Sequence, residues 1–288
     1  PDELLSRHTS FRIGGPADFY AVSENIDELK EILRICKEEE VPVYILGNGT
    51  NVLALDEGYD GVVIRLGGDF NSFSITEDIN DGSAMITAGA GAALTQLSIY
   101  ALKKGFTGLE FVHGIPGSVG GGVYMNAGAY ERELKECIVS VKALSPEGEI
   151  KEYGKDELEM GYRKSRFTDS DEIILEAVFR LKVFPRIPIR TMMEEYKRRR
   201  TEKQPLDLPS AGSTFKRPEG NFAGKLIEEA GLKGFSVGGA SVSEKHAGFI
   251  VNNGNATAKD VLALIDHVKS SVFERSGIRL EPEIKIIK

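Results

Sequence analysis

Six of the eighteen residues at 111–128, Phe-Val-His-Gly-Ile-Pro-Gly-Ser-Val-Gly-Gly-Gly-Val-Tyr-Met-Asn-Ala-Gly, are glycine. Such density costs conformational entropy and gives a core almost no side chains. It suits a backbone that turns sharply or lies directly against a ligand. Pro116 fixes φ between Ile115 and Gly117, so the run reads as a shaped loop rather than a slack linker. Its N–H groups can line a concave anion site. A pair of tight turns between strands fits the same residues equally well.

The rest of the composition narrows the class. A chain of 288 residues exceeds one typical core and predicts two or three domains. A net charge of −8 argues against a general nucleic-acid binder. No apolar run reaches the length of a membrane span, and no charged-then-apolar leader suggests export. Cys36 and Cys137 lie far apart and make neither a CxxC nor a disulfide framework, which points by default to a reducing, cytoplasmic location. His8, His113, His246 and His267 show no ligand spacing, so no metal site is expected.

Along the chain, a strand is expected at 17–22. Asn25 then caps a helix with Glu28 as its capping-box partner and Leu29, Ile32, Leu33 and Cys36 as its apolar stripe. A strand at 43–46 runs into Gly47-Asn-Gly-Thr-Asn-Val52, and another follows at 61–66. The Gly47 motif begins G-x-G, but Val52 stands where a third glycine belongs and no amphipathic helix follows. A dinucleotide fingerprint is therefore excluded, as is a P-loop. What remains is a loop able to hold a diphosphate with backbone donors, or a plain turn at a strand end.

A second region opens near residue 67, with a strand at 84–88 and a helix at 92–104 stopped by Gly105. Beyond the glycine run come strands at 138–144 and 149–153 about a Pro-Glu-Gly turn, then a strand at 173–183 with a strongly buried face. Residues 184–188, with two prolines, read as a domain boundary. A helix at 189–203 carries Lys197, Arg198, Arg199 and Arg200 as a solvated face. A short helix at 221–230 follows. Thr257 and Asp260 box a long helix with Val261, Leu264, Ile265, Val268 and Val272 inward and Gly277 at its end. A final strand is expected at 279–287.

Three polar positions invite chemistry. Arg163 offers a fork for a carboxylate, or makes an ordinary surface ion pair. Ser213 either points into a cleft or caps a turn. It lacks the Gly-x-Ser-x-Gly elbow, because Phe215 fills the last place. Glu281 and Glu283 share a strand face, with Pro282 marking an edge strand, and are either an acid–base pair or an edge charge device.

Taken in order, His8-Thr-Ser-Phe-Arg-Ile-Gly-Gly-Pro-Ala, Leu46-Gly-Asn-Gly-Thr-Asn-Val-Leu, Gly114-Ile-Pro-Gly-Ser-Val-Gly-Gly, Met125-Asn-Ala-Gly-Ala-Tyr, Gly161-Tyr-Arg, Ser210-Ala-Gly-Ser-Thr-Phe-Lys, Ala230-Gly-Leu-Lys-Gly, Phe249-Ile-Val-Asn and Leu280-Glu-Pro-Glu closely resemble the UDP-N-acetylenolpyruvoylglucosamine reductase family. They span almost the whole chain. No long tyrosine-bearing insertion separates Tyr130 from Arg163, as in the shorter, type II subtype.

The resemblance implies an α+β protein. It would hold a two-subdomain FAD-binding fold of the vanillyl-alcohol-oxidase/PCMH type at 1–66 and 67–183, with 284–288 returning to the first subdomain. A C-terminal α+β substrate-binding domain would occupy 184–283. It implies non-covalent FAD cradled by Gly47, Asn48, Gly49, Thr50, Asn51, Val52, Gly114, Ile115, Pro116, Gly117, Ser118, Gly120, Gly121, Asn126 and Gly128. NADPH would be the hydride donor and UDP-N-acetylglucosamine enolpyruvate the substrate. Hydride would pass from reduced flavin N5 to the enolpyruvyl C3 and a proton from Ser213 to C2, with Arg163 and Glu283 stabilising the enolate. Tyr162, Lys203, Lys216 and Arg217 would contact substrate. No nucleic-acid or membrane partner is implied, and a monomer is expected.

Three residues depart from the family pattern. Arg217 and Gly248 stand where asparagine is common, and His113 is unusual beside the flavin loop. Rival readings are another FAD oxidase of the wider fold, which has no need of Ser213, and a non-catalytic nucleotide-sugar binder, which would lack a flavin spectrum.

Overall fold

The alternating segment at 173–183 forms strand Ile173–Val183, and its burial explains its central position. Ile173, Leu175, Ala177, Phe179 and Leu181 are buried. In this computed structural model, which describes residues 1–78 and 81–288, that strand lies within a six-stranded antiparallel sheet. The order is Ile150–Gly154, Ile138–Leu144, Ile173–Val183, Ser83–Gly89, Phe73–Asp78, with short Phe106–Thr107 also pairing Ile173–Val183. Register sets Ala177 between Val141 and Ala88, all three fully buried.

This sheet belongs to one of two compact units, Ala21–Asn48 with Ile64–Arg200. The same unit holds α1, Ile26–Glu38. Asn25 caps it as expected, its Oδ1 accepting the Glu28 N–H at 3.0 Å, while the Glu28 carboxylate takes the Glu24 N–H. Leu29 and Cys36 are buried, and Ile32 and Leu33 only partly. Helix α2, Leu94–Lys104, buries Leu94, Leu97 and Ala101, and Gly105 ends it at φ +82, a left-handed cap that glycine adopts without a Cβ clash.

The glycine run departs from the loop expected of it. Residues Val119–Tyr124 form a short helix, α3, with Ser118 at its N-cap. Its glycines lie where side chains would collide. A Cβ on Gly120 would stand 3.0 Å from the Ala90 Cβ, and one on Gly122 3.0 Å from a Leu94 methyl. Close packing on the sheet and on α2 therefore overrides poor helix propensity. Helix α4, Arg186–Lys203, starts three residues before the expected 189. Pro188 sits in its first turn, where a missing N–H is harmless.

The other unit gathers Pro1–Tyr20, Gly49–Val63 and Thr201–Lys288. Helices α5, Ala223–Glu229, and α6, Ala258–Ser276, pack with a three-stranded sheet ordered Ser236–Val237, Ala240–Val242, Ile250–Asn252. The α6 stripe Val261, Leu264, Ile265, Val268 and Val272 shares one core with Ile227, Val242, Leu53, Phe11 and Ile13. Residues distant in sequence thus share a single apolar interior. Thr257 and Asp260 box α6 as expected, and Asp56 adds a second cap by accepting the Ala258 N–H at 2.8 Å.

The expected final strand is shorter than 279–287. Only Lys285–Ile287 is a strand, and it pairs in parallel with Val52–Ala54, which begins within the expected loop 47–52. Upstream, Pro282 makes an isolated bridge with Phe215. Pro16–Ser23 and Tyr59–Leu66 are long strands in the four-stranded order Glu3–Leu4, Pro16–Ser23, Tyr59–Leu66, Val43–Ile45.

Candidate active site

Within the unit of the large sheet, the two glycine stretches meet. Gly47 lies against Ser118 so closely that a Cβ there would stand 2.6 Å from the Ser118 Oγ. Asn48 Nδ2 donates to the Pro116 carbonyl at 2.9 Å. Ser118 fills the space a side chain at 47 would take, so this glycine lets the two stretches pack directly against each other. The run offers fewer unspent donors than its glycine count suggests. The N–H groups of Gly114, Ile115, Val119, Gly120 and Gly121 donate to Thr95 Oγ1, Val112 O, Ala92 O, Ala90 O and Ser118 Oγ. The Ile115 and Gly117 carbonyls also accept, from the Thr95 hydroxyl and the Leu94 N–H of α2.

Several residues expected around a cofactor have structural work. Asn126 is fully buried, and its side chain is wholly engaged. Nδ2 donates to the Gly161 carbonyl at 2.9 Å and to Glu133 Oε2 at 3.2 Å, while Oδ1 accepts the Lys135 N–H at 3.0 Å. Its side chain thus ties the end of the glycine run to the turn that carries Arg163. Gly128 pairs with Glu133 in a short hairpin, where a Cβ would strike the Arg132 carbonyl at 2.5 Å.

Arg163 sits in a tight turn closed by reciprocal backbone bonds between Gly161 and Lys164. Its φ is +53, a left-handed conformation that a long side chain rarely adopts. Such strain persists only where surroundings enforce it, and functional sites are enriched in it. The guanidinium lies 5.0 Å over the exposed Tyr162 ring and donates to the Gly128 carbonyl at 3.3 Å. Ser165 and Thr168 anchor the following segment by donating to the Tyr124 carbonyl.

The basic run of α4 is a solvated face for Lys197, Arg198 and Arg199, and the two arginines pair with Glu195. Arg200 differs. Burial lowers its pKa, opposed by the Tyr130 phenol, and its Cδ lies 3.4 Å from where a Gly114 Cβ would be. Tyr130 stacks on Tyr196 at 4.1 Å and donates to the Tyr196 carbonyl. Nothing in the charge run distinguishes Arg200, whose burial is a tertiary property. Near the same loop, burial and then Lys197 hold His113 below the usual histidine pKa, with its Nδ1 3.3 Å from Ser98 Oγ.

In the other unit, Ser213 is exposed and forms an isolated antiparallel bridge with Phe249, next to Gly212 at φ +75. The segment continues with Thr214, whose carbonyl accepts the Glu283 N–H at 2.8 Å, and Lys216, whose N–H donates to the Glu281 carbonyl. Backbone pairing thus brings the Ser213 and Glu283 segments side by side. Asn51 Nδ2 donates to the Glu283 carbonyl at 3.3 Å, and the Asn51 carbonyl accepts the Lys285 N–H at 2.9 Å. Gly49, at φ +63, lies so close to the His8 carbonyl that a Cβ would sit 2.0 Å from its oxygen.

Glu281 and Glu283 are not the expected carboxylate pair on one strand face, because Glu281 binds the Lys216 ammonium and neither residue lies in a strand. Lys216 is therefore engaged within the protein. Arg217 stacks 4.0 Å over Phe222, and Lys203 is exposed at the end of α4. Among the described residues no group of His, Cys, Asp or Glu side chains would hold a metal, and no helix is long and apolar enough to cross a membrane.

Comparison with known proteins accounts for the arrangement. Residues 17–154 match the model of an FAD binding domain, and residues 204–287 that of the UDP-N-acetylenolpyruvoylglucosamine reductase C-terminal domain. The chain is 48% identical to the UDP-N-acetylenolpyruvoylglucosamine reductase of Agathobacter rectalis, over 99% of this chain and 93% of that one. It is 46% identical to that of Lachnoclostridium phytofermentans, over 99% and 92%. The crystal structure of the Thermus caldophilus reductase superposes with a TM-score of 0.83 at 39% identity, covering 100% of this chain and 98% of that one. An FAD-binding domain followed by this C-terminal domain is the α+β arrangement expected from the sequence motifs.

Proposed function

Because the chain belongs to the UDP-N-acetylenolpyruvoylglucosamine reductase family, an FAD-dependent group of oxidoreductases, we propose that it reduces UDP-N-acetylglucosamine enolpyruvate to UDP-N-acetylmuramate, with NADPH as donor. This is a step of peptidoglycan precursor synthesis. We read it as a cytoplasmic monomer. The observation that carries the mechanism is the backbone pairing of the Ser213 and Glu283 segments, which links two of the three expected groups through one hydrogen-bonded ladder.

Gly47, Asn48, Gly49, Thr50, Asn51, Val52, Gly114, Ile115, Pro116, Gly117, Ser118, Gly120 and Gly121 would hold FAD, while Asn126 and Gly128, already engaged within the protein, would shape the backbone around it. When bound, FAD supplies a two-electron relay that takes hydride from NADPH and returns it to the outer vinyl carbon of the enolpyruvyl ether. Negative charge then develops on the neighbouring carbon and spreads into the carboxylate. Arg163 would offer that carboxylate a planar cationic fork, and Glu283 would act as an acid in the same step. The carbanion is basic enough to take a proton from a serine hydroxyl, so Ser213 protonates C2 and is reprotonated from solvent. Tyr162 and Lys203 would meet the nucleotide-sugar part. Lys216 and Arg217 would reach substrate only by leaving Glu281 and Phe222.

The test is direct. Purified protein should be yellow, and NADPH should be consumed in turnover only when UDP-N-acetylglucosamine enolpyruvate is added. Protein without a flavin spectrum, or one that oxidises hydroxy acids instead, would refute the reading.

A further inference from the structure

His246 has no part in the chemistry described so far, yet its ring is tightly placed. Nδ1 accepts the Gly248 N–H at 3.0 Å. That is the residue-to-second-neighbour bond an Asx side chain makes in a turn, here made by an imidazole. Two glycines leave room for the ring. A Cβ on Gly248 would come 3.0 Å from Cε1, and one on Gly224 of α5 3.1 Å. Phe249 meets the ring edge-on at 5.1 Å. Gly248, one of the departures from the family pattern, thus leaves space that the imidazole occupies.

The contact leads on to Ser213. While His246 holds the Gly248 N–H, the Gly248 carbonyl accepts the Thr214 N–H at 2.9 Å, and Phe249 is the bridge partner of Ser213. Thr214 is buried, and its Oγ1 accepts the Ile250 N–H at 3.1 Å, so the segment has little other slack. We propose that His246 is the positioning residue for Ser213: its unprotonated Nδ1 fixes Gly248, and Gly248 with Phe249 fixes the backbone that carries the hydroxyl. This rests on the reading of Ser213 as proton donor.

Nδ1 can accept only while the ring is neutral with its hydrogen on Nε2. Burial holds the imidazole below the usual histidine pKa. A hydrogen bond to its own backbone opposes this and is outweighed; Lys233 and Lys203 push the pKa further down, and Glu228, paired with Lys233 at 3.1 Å, pushes it up. Lys245, on the same segment, turns to the Thr201 carbonyl. The contact is therefore made at neutral pH. As pH falls below the usual histidine range the ring gains a proton, Nδ1 becomes a donor facing a donor, and the hold on Gly248 is lost.

Asparagine can bond the same amide through Oδ1 without titrating, whereas phenylalanine fills the space with no acceptor. In a single turnover after NADPH has reduced the flavin, reoxidation by the enolpyruvyl substrate should be at least about tenfold slower in His246→Phe, as expected for a misplaced reacting group. His246→Asn should restore most of that rate and flatten the wild-type decline toward acid pH. Nitrogen-15 NMR of histidine-labelled protein should show His246 as the Nε2–H tautomer.

An Nδ1–H tautomer, an acid decline unchanged in His246→Asn, or wild-type reoxidation in His246→Phe overturns the proposal. The tautomer and the asparagine profile decide it even if His246→Phe does not fold. If Ser213→Ala turns over normally, the reading of Ser213 falls and this proposal with it. If Ser213→Ala is inactive while both His246 variants behave as wild type, only the positioning role falls.

Discussion

The turn that presents Arg163 and the segment that presents Ser213 are held in opposite ways. The turn stores a left-handed residue at φ +53, is closed by two backbone bonds of its own, and is tied to its surroundings by side chains: Asn126 on the Gly161 carbonyl, and Ser165 and Thr168 on the Tyr124 carbonyl. The Ser213 segment has backbone neighbours on both sides, Gly248 and Phe249 on one and Glu281 to Glu283 on the other. A backbone ladder tolerates substitution of its side chains. A strained turn tied down by side chains does not. Sensitivity to mutations away from the chemistry should therefore be greatest around Arg163, and around Ser213 it should be confined to the few side chains, such as His246, that touch the ladder itself.

Substitutions can break this contrast. The largest effect is expected for Ser213→Ala, a loss of about 10³–10⁴-fold in turnover with folding unchanged, since only an exposed hydroxyl is removed from a backbone-held segment. Steady-state NADPH oxidation with substrate present checks it. Arg163→Ala should cost about 10²–10³-fold, the range for removing one preorganised charge-stabilising donor. Alanine keeps the Cβ that disfavours φ +53, so the turn's strain stays and thermal unfolding should shift little, whereas Arg163→Gly should relieve it. Asn126→Ala should cost about tenfold or more in turnover through displacement of the turn, since its side chain is spent on Gly161, Glu133 and Lys135. A truncation at 126 that left turnover intact while the same change at Thr214 abolished it would reverse the comparison.

How much of this was legible in the sequence differs by element. Helix α6 could be read almost whole, because its capping box, its apolar stripe and Gly277 are all local signals. Its second cap, Asp56, lies about two hundred residues away and leaves no local trace. Helix α3 could not be read, because three successive glycines carry the propensity of a loop, each disfavoured by about 1 kcal/mol relative to alanine. Contacts to Ala90 and Leu94 decide its form, and those contacts are tertiary.

The parallel pairing of Lys285–Ile287 with Val52–Ala54 was equally invisible as a pattern, since each strand is three residues long. In the candidate site, Arg163, Ser213 and Glu283 could be picked out only through the joint order of the motifs, each having an ordinary alternative when taken singly. Asn126 and His246 work through bonds to main chain, and residue type alone does not reveal such bonds. Glu281 looked like half of a carboxylate pair because strand alternation was carried through Pro282, where the strand had not yet begun.

The central claim is that Ser213 serves only the second half of a two-step reaction. Stopped-flow mixing of Ser213→Ala protein with NADPH should bleach the flavin at the wild-type rate. A second mixing with UDP-N-acetylglucosamine enolpyruvate should then leave it reduced for at least about a thousand times longer than in the wild type. Prompt return of the yellow colour with formation of product would contradict the account.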